Sequence, residues 1–248
     1  CTPLILDALY HTLKSQPITS DEYQVYQGLV QKNPSLLKHL HEDLRRPMEL
    51  LVAQDLASTE LIFCRKQFKA IPSGIVNYTH LRMLYLANNE LTQLPPAIGQ
   101  LAALQTLYLS NNQLTQLPRE IGQLAELRWL YLARNQLTQL PQEICQLAAL
   151  RTLNLLNNKL TQLPPAIGQL VALQELNLSI NLFTQLPPAI GQLAALKGLE
   201  LACNQLTHLP PEIGQLAALE KLNVERNHLT HLPPEIYQLT KMKELRSF

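Results

Sequence analysis

Aromatic and charged residues are both scarce in this sequence of 248 residues. Aromatic side chains make up 5% of the chain, charged side chains make up 16%, and the formal net charge is +1. A balance this close to neutral excludes recognition of nucleic acid, or of an anionic membrane surface, through bulk positive charge. No apolar run approaches the roughly 18 residues that a membrane-spanning helix needs. We therefore expect no nucleic-acid partner and no membrane span.

Cysteine is also rare, and its spacing is uninformative about metal or disulfide chemistry. The four cysteines are Cys1, Cys64, Cys145 and Cys203. They form no CxxC pair, so we expect reduced thiols in an intracellular protein. The sequence contains no GxSxG, GxxxxGK[ST], HExxH or GxGxxG signature, which are common marks of catalytic and nucleotide sites. These absences favour a non-enzymatic protein that holds neither a metal ion nor a cofactor.

Leucine, in contrast, is far more abundant than in ordinary proteins. The chain contains 56 leucines, and they recur with a period of 23 residues in the pattern LxxLxLxxNxLTxLPxxIGQLxx. Seven full copies, spanning 81–241, begin at Leu81, Leu104, Leu127, Leu150, Leu173, Leu196 and Leu219. A degenerate copy precedes them at 58–80 and a truncated copy follows at 242–248. The pattern therefore predicts one repeat domain over residues 58–248.

The repeat pattern resembles the leucine-rich repeat (LRR), which is written L-x-x-L-x-L-x-x-N/C-x-L. Its LTxLPxxIGQL segment is similar to the intracellular, Ras-group kind of LRR. The near-identity of the copies and the character of the leader also resemble the LRR effectors that Legionella-type bacteria inject into host cells. This second resemblance implies delivery by type IV secretion and binding of a host protein in the host cytosol. The alternatives are an endogenous Ras-group-like signalling scaffold and the recognition part of a truncated ubiquitin ligase.

Elementary geometry predicts the same architecture. In LxxLxLxx the two central leucines alternate with polar residues, as in a short strand with one buried face. The proline that follows, as in Leu94-Pro95, cannot continue a strand ladder and turns the chain back. One copy cannot bury its own apolar face, so the copies must stack. We predict an α/β fold, a curved solenoid with a parallel sheet on its concave side and short helices or 3-10 turns on its convex side.

Residues 1–57 lack the repeat pattern and are predicted to be all-α, with about four short helices. Candidate helix starts are Pro3, Ser20, the Asn33-Pro34 pair and Pro47, because Ser, Asn and Pro favour the first positions of a helix. A solenoid needs its first apolar edge covered, so we interpret this leader as an N-terminal cap. A separate binding or targeting function of the leader is the alternative.

Two recurring positions, one occupied by asparagine and one usually by glycine, are interpreted as structural. The ninth position of every full copy is asparagine, from Asn89 to Asn227, and a buried amide there can donate to and accept from neighbouring backbone. Glycine usually occupies the nineteenth position, as in Gly99. Cys145 and Tyr237 stand at that position in two copies, so a positive φ cannot be required there.

The variable positions that face the concave side carry the information about a partner. These are positions 3, 5, 7 and 8 of each copy, and the only tryptophan and three tyrosines lie there in the first three full copies. Trp, Tyr and Arg are the residue types enriched at binding hot spots, whereas later copies carry charges that would set specificity. The candidate partner-binding residues are Met83, Tyr85, Tyr108, Arg128, Trp129, Tyr131, Arg134, Arg151, Glu175, Glu200, Lys221, Glu225 and Arg226.

The three tyrosines allow a second interpretation. Strands in a sheet lie about 4.8 Å apart, so Tyr85, Tyr108 and Tyr131 would form a stacked row. Cross-strand aromatic pairs stabilise a sheet on their own, so the row could be a purely structural ladder. We nevertheless favour a partner site, since nothing within a copy covers this face. The sequence therefore predicts a monomeric protein-interaction module that binds one protein on its concave face.

Overall fold

The computed structural model describes residues 56–71 and 73–247. The predicted helical leader thus lies outside the described residues, except for residues 56 and 57. The described residues form nine short strands: β1 (Glu60–Ile62), β2 (Met83–Tyr85), β3 (Thr106–Tyr108), β4 (Trp129–Tyr131), β5 (Thr152–Asn154), β6 (Glu175–Asn177), β7 (Gly198–Glu200), β8 (Lys221–Asn223) and β9 (Glu244–Arg246). Each strand belongs to one copy of the repeat, in chain order.

The nine strands form one parallel sheet in the order β1 to β9. The register is constant: each strand pairs with the strand 23 residues further on, as in Leu84 with Leu107 and Leu107 with Leu130. The central leucine of each strand from β2 to β8 is buried at 0–1% exposure. Each copy adds one strand to the sheet at the same register, as the stacked copies of a solenoid must. The predicted solenoid is therefore confirmed.

Each strand from β1 to β8 is followed by a return segment on the opposite side of the solenoid. These are 3-10 helices, at Ser73–Asn77, Pro96–Gln100, Arg119–Gln123, Gln142–Gln146, Ile167–Gln169, Pro188–Gln192, Pro211–Gln215 and Pro234–Gln238. In the copy that begins at Leu81, Pro95 has φ −66° and ψ 144°, which is an extended conformation. The proline therefore ends the extended stretch, and the helical turn begins directly after it.

The asparagine at position 9 connects each copy to the one before it. Asn112 donates through Nδ2 to the carbonyls of Leu86 and Leu109, at 3.0 and 2.9 Å, and its Oδ1 accepts from the Leu91 N–H at 3.0 Å. The same three bonds recur at the equivalent asparagines. The structural interpretation of this position is confirmed, because each amide satisfies backbone groups that the turn leaves without strand partners.

The residue before that asparagine adopts a left-handed backbone conformation in every full copy. The residues concerned, with φ between 54° and 59°, are Asn88, Asn111, Arg134, Asn157, Ile180, Cys203 and Arg226. Asparagine tolerates this conformation, whereas other residues with a Cβ are strained by it. Ile180 is β-branched, is 46% exposed and has φ 56°, so it carries the least suitable side chain of the series.

Replacing Ile180 with asparagine is expected to raise the free energy of unfolding by about 1 kcal/mol, because it relieves this backbone strain. Chemical denaturation of the two proteins measures the difference. The reverse change at the equivalent position, Asn157→Ile, should lower the free energy of unfolding by a similar amount. Unchanged stability in both variants would show that the turn imposes no preference for asparagine.

Candidate functional site

The predicted partner-binding residues lie on or beside the outer surface of the sheet. Positions 3 and 5 are the first and last residues of each strand, and the leucine between them points into the core. Five of the residues are exposed, namely Arg134, Arg151, Glu175, Lys221 and Arg226. The half-buried ones are Met83, Tyr85, Tyr108, Arg128, Trp129, Tyr131, Glu200 and Glu225. The sheet thus brings residues from seven copies onto one continuous surface.

The three tyrosines form the stacked row that their register requires. The ring centroids of Tyr85 and Tyr108 are 4.7 Å apart with planes inclined by 11°, and those of Tyr108 and Tyr131 are 4.4 Å apart and inclined by 1°. Offset-stacked aromatic pairs at this separation are mutually stabilising. Their edges and hydroxyl groups remain available to a ligand, since every ring is only half-buried. The row therefore satisfies the structural interpretation without excluding the binding one.

Burial and neighbouring groups shift the pKa values at the two ends of the row. Burial raises the pKa of Tyr131, and the neighbouring Tyr108 hydroxyl raises it further. The pKa of Tyr85 is raised by burial and by the nearby Glu60 carboxylate. The Tyr85 hydroxyl also lies 3.7 Å from the Met83 sulfur. The hydroxyl groups of Tyr85 and Tyr131 are therefore protonated near pH 7.

Three arginines surround Trp129, and we call them, with Trp129 and the three tyrosines, the aromatic–arginine cluster. Arg128 directly precedes Trp129, the first residue of β4. Arg151 lies at the equivalent position of the next copy, and its backbone N–H donates to the Arg128 carbonyl at 2.8 Å. Arg134 lies beyond the other end of β4 in the left-handed conformation. Among residues 56–71 and 73–247, ion pairs within 4.0 Å involve Arg119, Lys243 and Arg246, and none involves these three arginines.

The later copies form a mixed acidic and basic surface. Glu175 lies opposite Gly198 in the register, and its carboxylate covers the position where any larger residue would carry a Cβ. Burial raises the pKa of Glu175, Lys221 lowers it and Glu200 raises it, with a net upward shift. Gly198 is the only glycine at position 3 of a full copy. Its lack of a side chain gives the Glu175 side chain room to lie along the sheet. Glu200, Glu225 and Arg226 continue this charged section.

Two features of the surface were not among the predicted site residues. Glu60, from the degenerate copy, pairs with Met83 in the register and lies near Tyr85, and its position 3 in the period could have indicated a place on this surface. Ile180 and Leu182 are 46% and 41% exposed on one loop. Leu182 stands at position 10, where the other full copies carry Glu, Gln, Lys or His. An apolar residue in a polar column was the signal available in the sequence.

Potential metal-ligating side chains do not cluster in the described part of the chain. Within it, no group of three or more His, Cys, Asp or Glu side chains is placed to hold a metal ion. Burial raises the pKa of the Cys145 thiol to about 11, so this cysteine stays protonated at neutral pH. None of the helices in residues 56–71 and 73–247 combines the length and apolar character needed to cross a bilayer.

Comparison with family models identifies the repeats. A model described as a leucine-rich repeat region matches residues 119–205, and a second one, described as leucine rich repeat, matches residues 79–137. Together with the parallel sheet and its period, these matches show that the chain is a leucine-rich-repeat protein. A comparison with curated proteins finds no significant match.

Solved structures show the same fold. A leucine-rich-repeat protein of Leptospira interrogans is 39% identical, with a TM-score of 0.58, over 72% of this chain and 51% of that one. The ectodomain of the Arabidopsis thaliana receptor kinase GASSHO1/SCHENGEN3, in complex with CASPARIAN STRIP INTEGRITY FACTOR 2, is 38% identical (TM-score 0.65; 72% and 22% covered). The plant peptide hormone receptor RGFR1, in complex with RGF2, is 30% identical (TM-score 0.65; 71% and 30% covered).

The matched part is only a fraction of each of these proteins. The alignment spans about half of the Leptospira interrogans protein and less than a third of each of the two plant receptors. The similarity therefore concerns the repeat solenoid.

Proposed function

We propose that this chain is a non-enzymatic protein-interaction module that binds one partner protein on the concave face of its solenoid. The observation that carries the proposal is the aromatic–arginine cluster. It gathers the only tryptophan and three stacked tyrosines on adjacent strands, flanked by three arginines that form no ion pair with any described residue. These are the residue types that dominate binding energy at protein interfaces. A purely structural ladder would need the tyrosines but neither Trp129 nor the arginines.

The solved neighbours support this proposal. Two of the similar structures are plant receptor ectodomains in complex with the ligands that their descriptions name. We extend the principle, and not the particular ligands, to this chain, because a solenoid offers an extended surface that different side chains adapt to different partners.

We further propose that the partner is a host protein and that the chain works as a bacterial effector in the host cytosol. Support comes from the repeat style, with near-identical copies of LPxxIGQL, and from the 39% identity to a leucine-rich-repeat protein of Leptospira interrogans. On this proposal the chain acts as a monomer, since its single concave face binds one partner.

The test is a pull-down of partners from eukaryotic-cell lysate with the full chain and with the double variant Trp129→Ala/Tyr131→Ala. We expect the double variant to lose most of the bound partner, because truncating hot-spot aromatics costs about 2 kcal/mol or more each. Tyr237→Ala is the matched control: it also removes an aromatic ring, 90% exposed, but from a 3-10 segment away from the sheet. Circular dichroism of each variant verifies that the fold is retained.

Two results would contradict the proposal. Full retention of the partner by Trp129→Ala/Tyr131→Ala would remove the aromatic–arginine cluster as the binding site. A specific partner recovered from bacterial lysate, with none from eukaryotic lysate, would overturn the effector role and favour an endogenous scaffold.

A further inference from the structure

The charges on and beside the concave face are divided unevenly along the solenoid. We consider positions 3, 5, 7 and 8 of each full copy, together with position 2, which directly precedes the strand. In the four copies from 81 to 172 these positions hold four arginines and no acidic residue: Arg82, Arg128, Arg134 and Arg151. In the three copies from 173 to 241 they hold Glu175, Lys197, Glu200, Glu220, Lys221, Glu225 and Arg226. Among the full copies, the half with the aromatic rings therefore carries only basic charges at these positions, and Glu60 of the degenerate copy lies near Tyr85 at its outer end.

Arg128 and Arg151, beside Trp129, are neighbours whose positive charges are not paired with a described carboxylate. The backbones of Arg128 and Arg151 are hydrogen-bonded across neighbouring copies, so their side chains begin about 5 Å apart. Like charges in directly neighbouring strand positions destabilise a sheet. No carboxylate of the described residues forms an ion pair with either guanidinium group. A negatively charged group bound between them would remove this repulsion and gain bidentate contacts.

Arg134 provides a second, independent observation in favour of a negatively charged ligand. It occupies the left-handed position that asparagine fills in the copies before and after it, at Asn111 and Asn157. Arginine is the poorer residue for that backbone conformation, so the sequence departs here from the choice that favours the fold. The departure places a third positive charge at the far end of β4 from Arg128. A strained residue of this kind points to a role outside stability.

We propose that the aromatic–arginine cluster binds an extended acidic peptide segment, with Asp or Glu carboxylates on either side of an apolar or aromatic side chain. The inference rests on the proposed function and specifies the chemistry of the partner. The central side chain packs against Trp129 and the edges of the tyrosine row. Its flanking carboxylates lie between Arg128 and Arg151 on one side and beside Arg134 on the other.

Because Arg128 and Arg134 lie at opposite ends of β4, the segment runs along this strand, and the charges of the neighbouring copies limit its acidic part. The mixed section that begins at Glu175 repels a continuing acidic run, because its carboxylates outnumber its basic groups by four to three at the positions considered. We therefore expect acidic residues to be confined to the part of the segment that lies over residues 81–172.

The experiment selects random 12-residue peptides by display against the full chain and measures their affinities by fluorescence anisotropy. We expect the enriched peptides to be rich in Asp and Glu beside one apolar or aromatic residue. Their affinity should fall about tenfold or more in Arg128→Gln/Arg134→Asn/Arg151→Gln, and should fall with added salt. Arg119→Gln is the matched control, because Arg119 lies on a 3-10 segment and pairs with Glu120. It should leave the affinity unchanged.

The single variant Arg134→Asn separates binding from folding. It restores the residue that the left-handed position favours, so its thermal midpoint should rise while its affinity for the acidic peptides falls. A purely structural Arg134 would show no loss of affinity. Equal binding by wild type and Arg134→Asn would remove Arg134 from the proposed contact.

The outcomes distinguish this inference from the proposed function. Enriched peptides that are neutral or basic, and that are lost in Trp129→Ala/Tyr131→Ala, would overturn the acidic specificity and leave the concave site intact. Peptides indifferent to every concave variant would overturn both proposals. Failure to enrich any peptide would also count against both, since an extended ligand site on this surface should select one.

Discussion

Replacing Asn158 with alanine is expected to lower the free energy of unfolding by about 3 kcal/mol. Asn158 accepts from the Leu137 N–H and donates to the carbonyls of Leu132 and Leu155, each at 3.0 Å. Three buried hydrogen bonds disappear in the variant, each with a net contribution of about 1 kcal/mol. Denaturant titration followed by circular dichroism measures the loss.

The three backbone groups that bond to Asn158 do not all lose their last hydrogen bond in the variant. The Leu132 carbonyl keeps a second bond from Asn135, and the Leu155 carbonyl keeps one from Asn181. Within the described residues, the Leu137 N–H donates to no acceptor other than Asn158. An orphaned N–H in the core costs as much as the bond itself contributes, and the adjacent copies lose their strongest polar link.

Two further variants isolate the donor role of this amide. Asn158→Asp keeps an acceptor for the Leu137 N–H but removes both donors and places a carboxylate against two carbonyls. It should therefore be at least as destabilising as alanine at neutral pH. Gln162→Ala, at an exposed loop position of the same copy, is the control and should leave stability within about 0.5 kcal/mol of wild type. A near-neutral Asn158→Ala would show that water replaces the amide.

The second large effect is expected at the glycines of the return segments. A Cβ added at Gly122 would lie 2.9 Å from the Glu143 Cβ and closer still to the Glu143 carbonyl oxygen. No described glycine has a positive φ, so close approach between neighbouring copies, and not backbone conformation, requires glycine here. Gly122→Ala should lower the free energy of unfolding by about 1–3 kcal/mol, the cost of overpacking.

Cys145 supplies the matched control for this prediction. It occupies the same position one copy later, and the return segment that faces it is shortened to Ile167–Gln169, where the other segments have five residues. The neighbouring copy has already made room, so Cys145→Ala should cost only about 1 kcal/mol, for the lost sulfur. Comparable losses at Gly122 and Cys145 would show that contact between return segments does not limit the choice of residue.

Tyr237, a second exception at this position, follows the same reasoning. The described residues after Tyr237 contain a strand but no further 3-10 segment. Its side chain therefore meets no neighbouring segment among the described residues and is 90% exposed. Val76, in the degenerate copy, also replaces the glycine although the segment Pro96–Gln100 follows it, and nothing in the structure explains this exception.

The solenoid could be predicted from the sequence because every level of the pattern indicates the same structure. The period of 23 residues defined the copies, the alternation of Leu84 and Leu86 with variable residues indicated a strand, and Pro95 marked its end. The left-handed turn at Ile180 could not be predicted, because the pattern allows any residue at that position. The shortened segment near Cys145 depends on packing between copies, which a single copy does not encode.

The position of the candidate site could be predicted from the sequence, but some of the side-chain contacts around it could not. Register alone placed Tyr85, Tyr108 and Tyr131 in a row, since a constant period stacks equivalent positions. The contribution of Glu60 depends on which partner its carboxylate finds across the first strand pair, and this is a matter of side-chain geometry. The lack of an ion pair between Arg128 and the described carboxylates likewise became visible only once those carboxylates had positions.

The most direct measurement of the central claim is site-specific photo-cross-linking of the partner recovered in the pull-down. A benzophenone amino acid replaces Thr152, which pairs with Trp129 in the register, or Tyr237 on the last return segment. Partner binding by the concave face predicts a cross-link from position 152 and none from position 237. A cross-link from position 237 alone would contradict binding by the concave face.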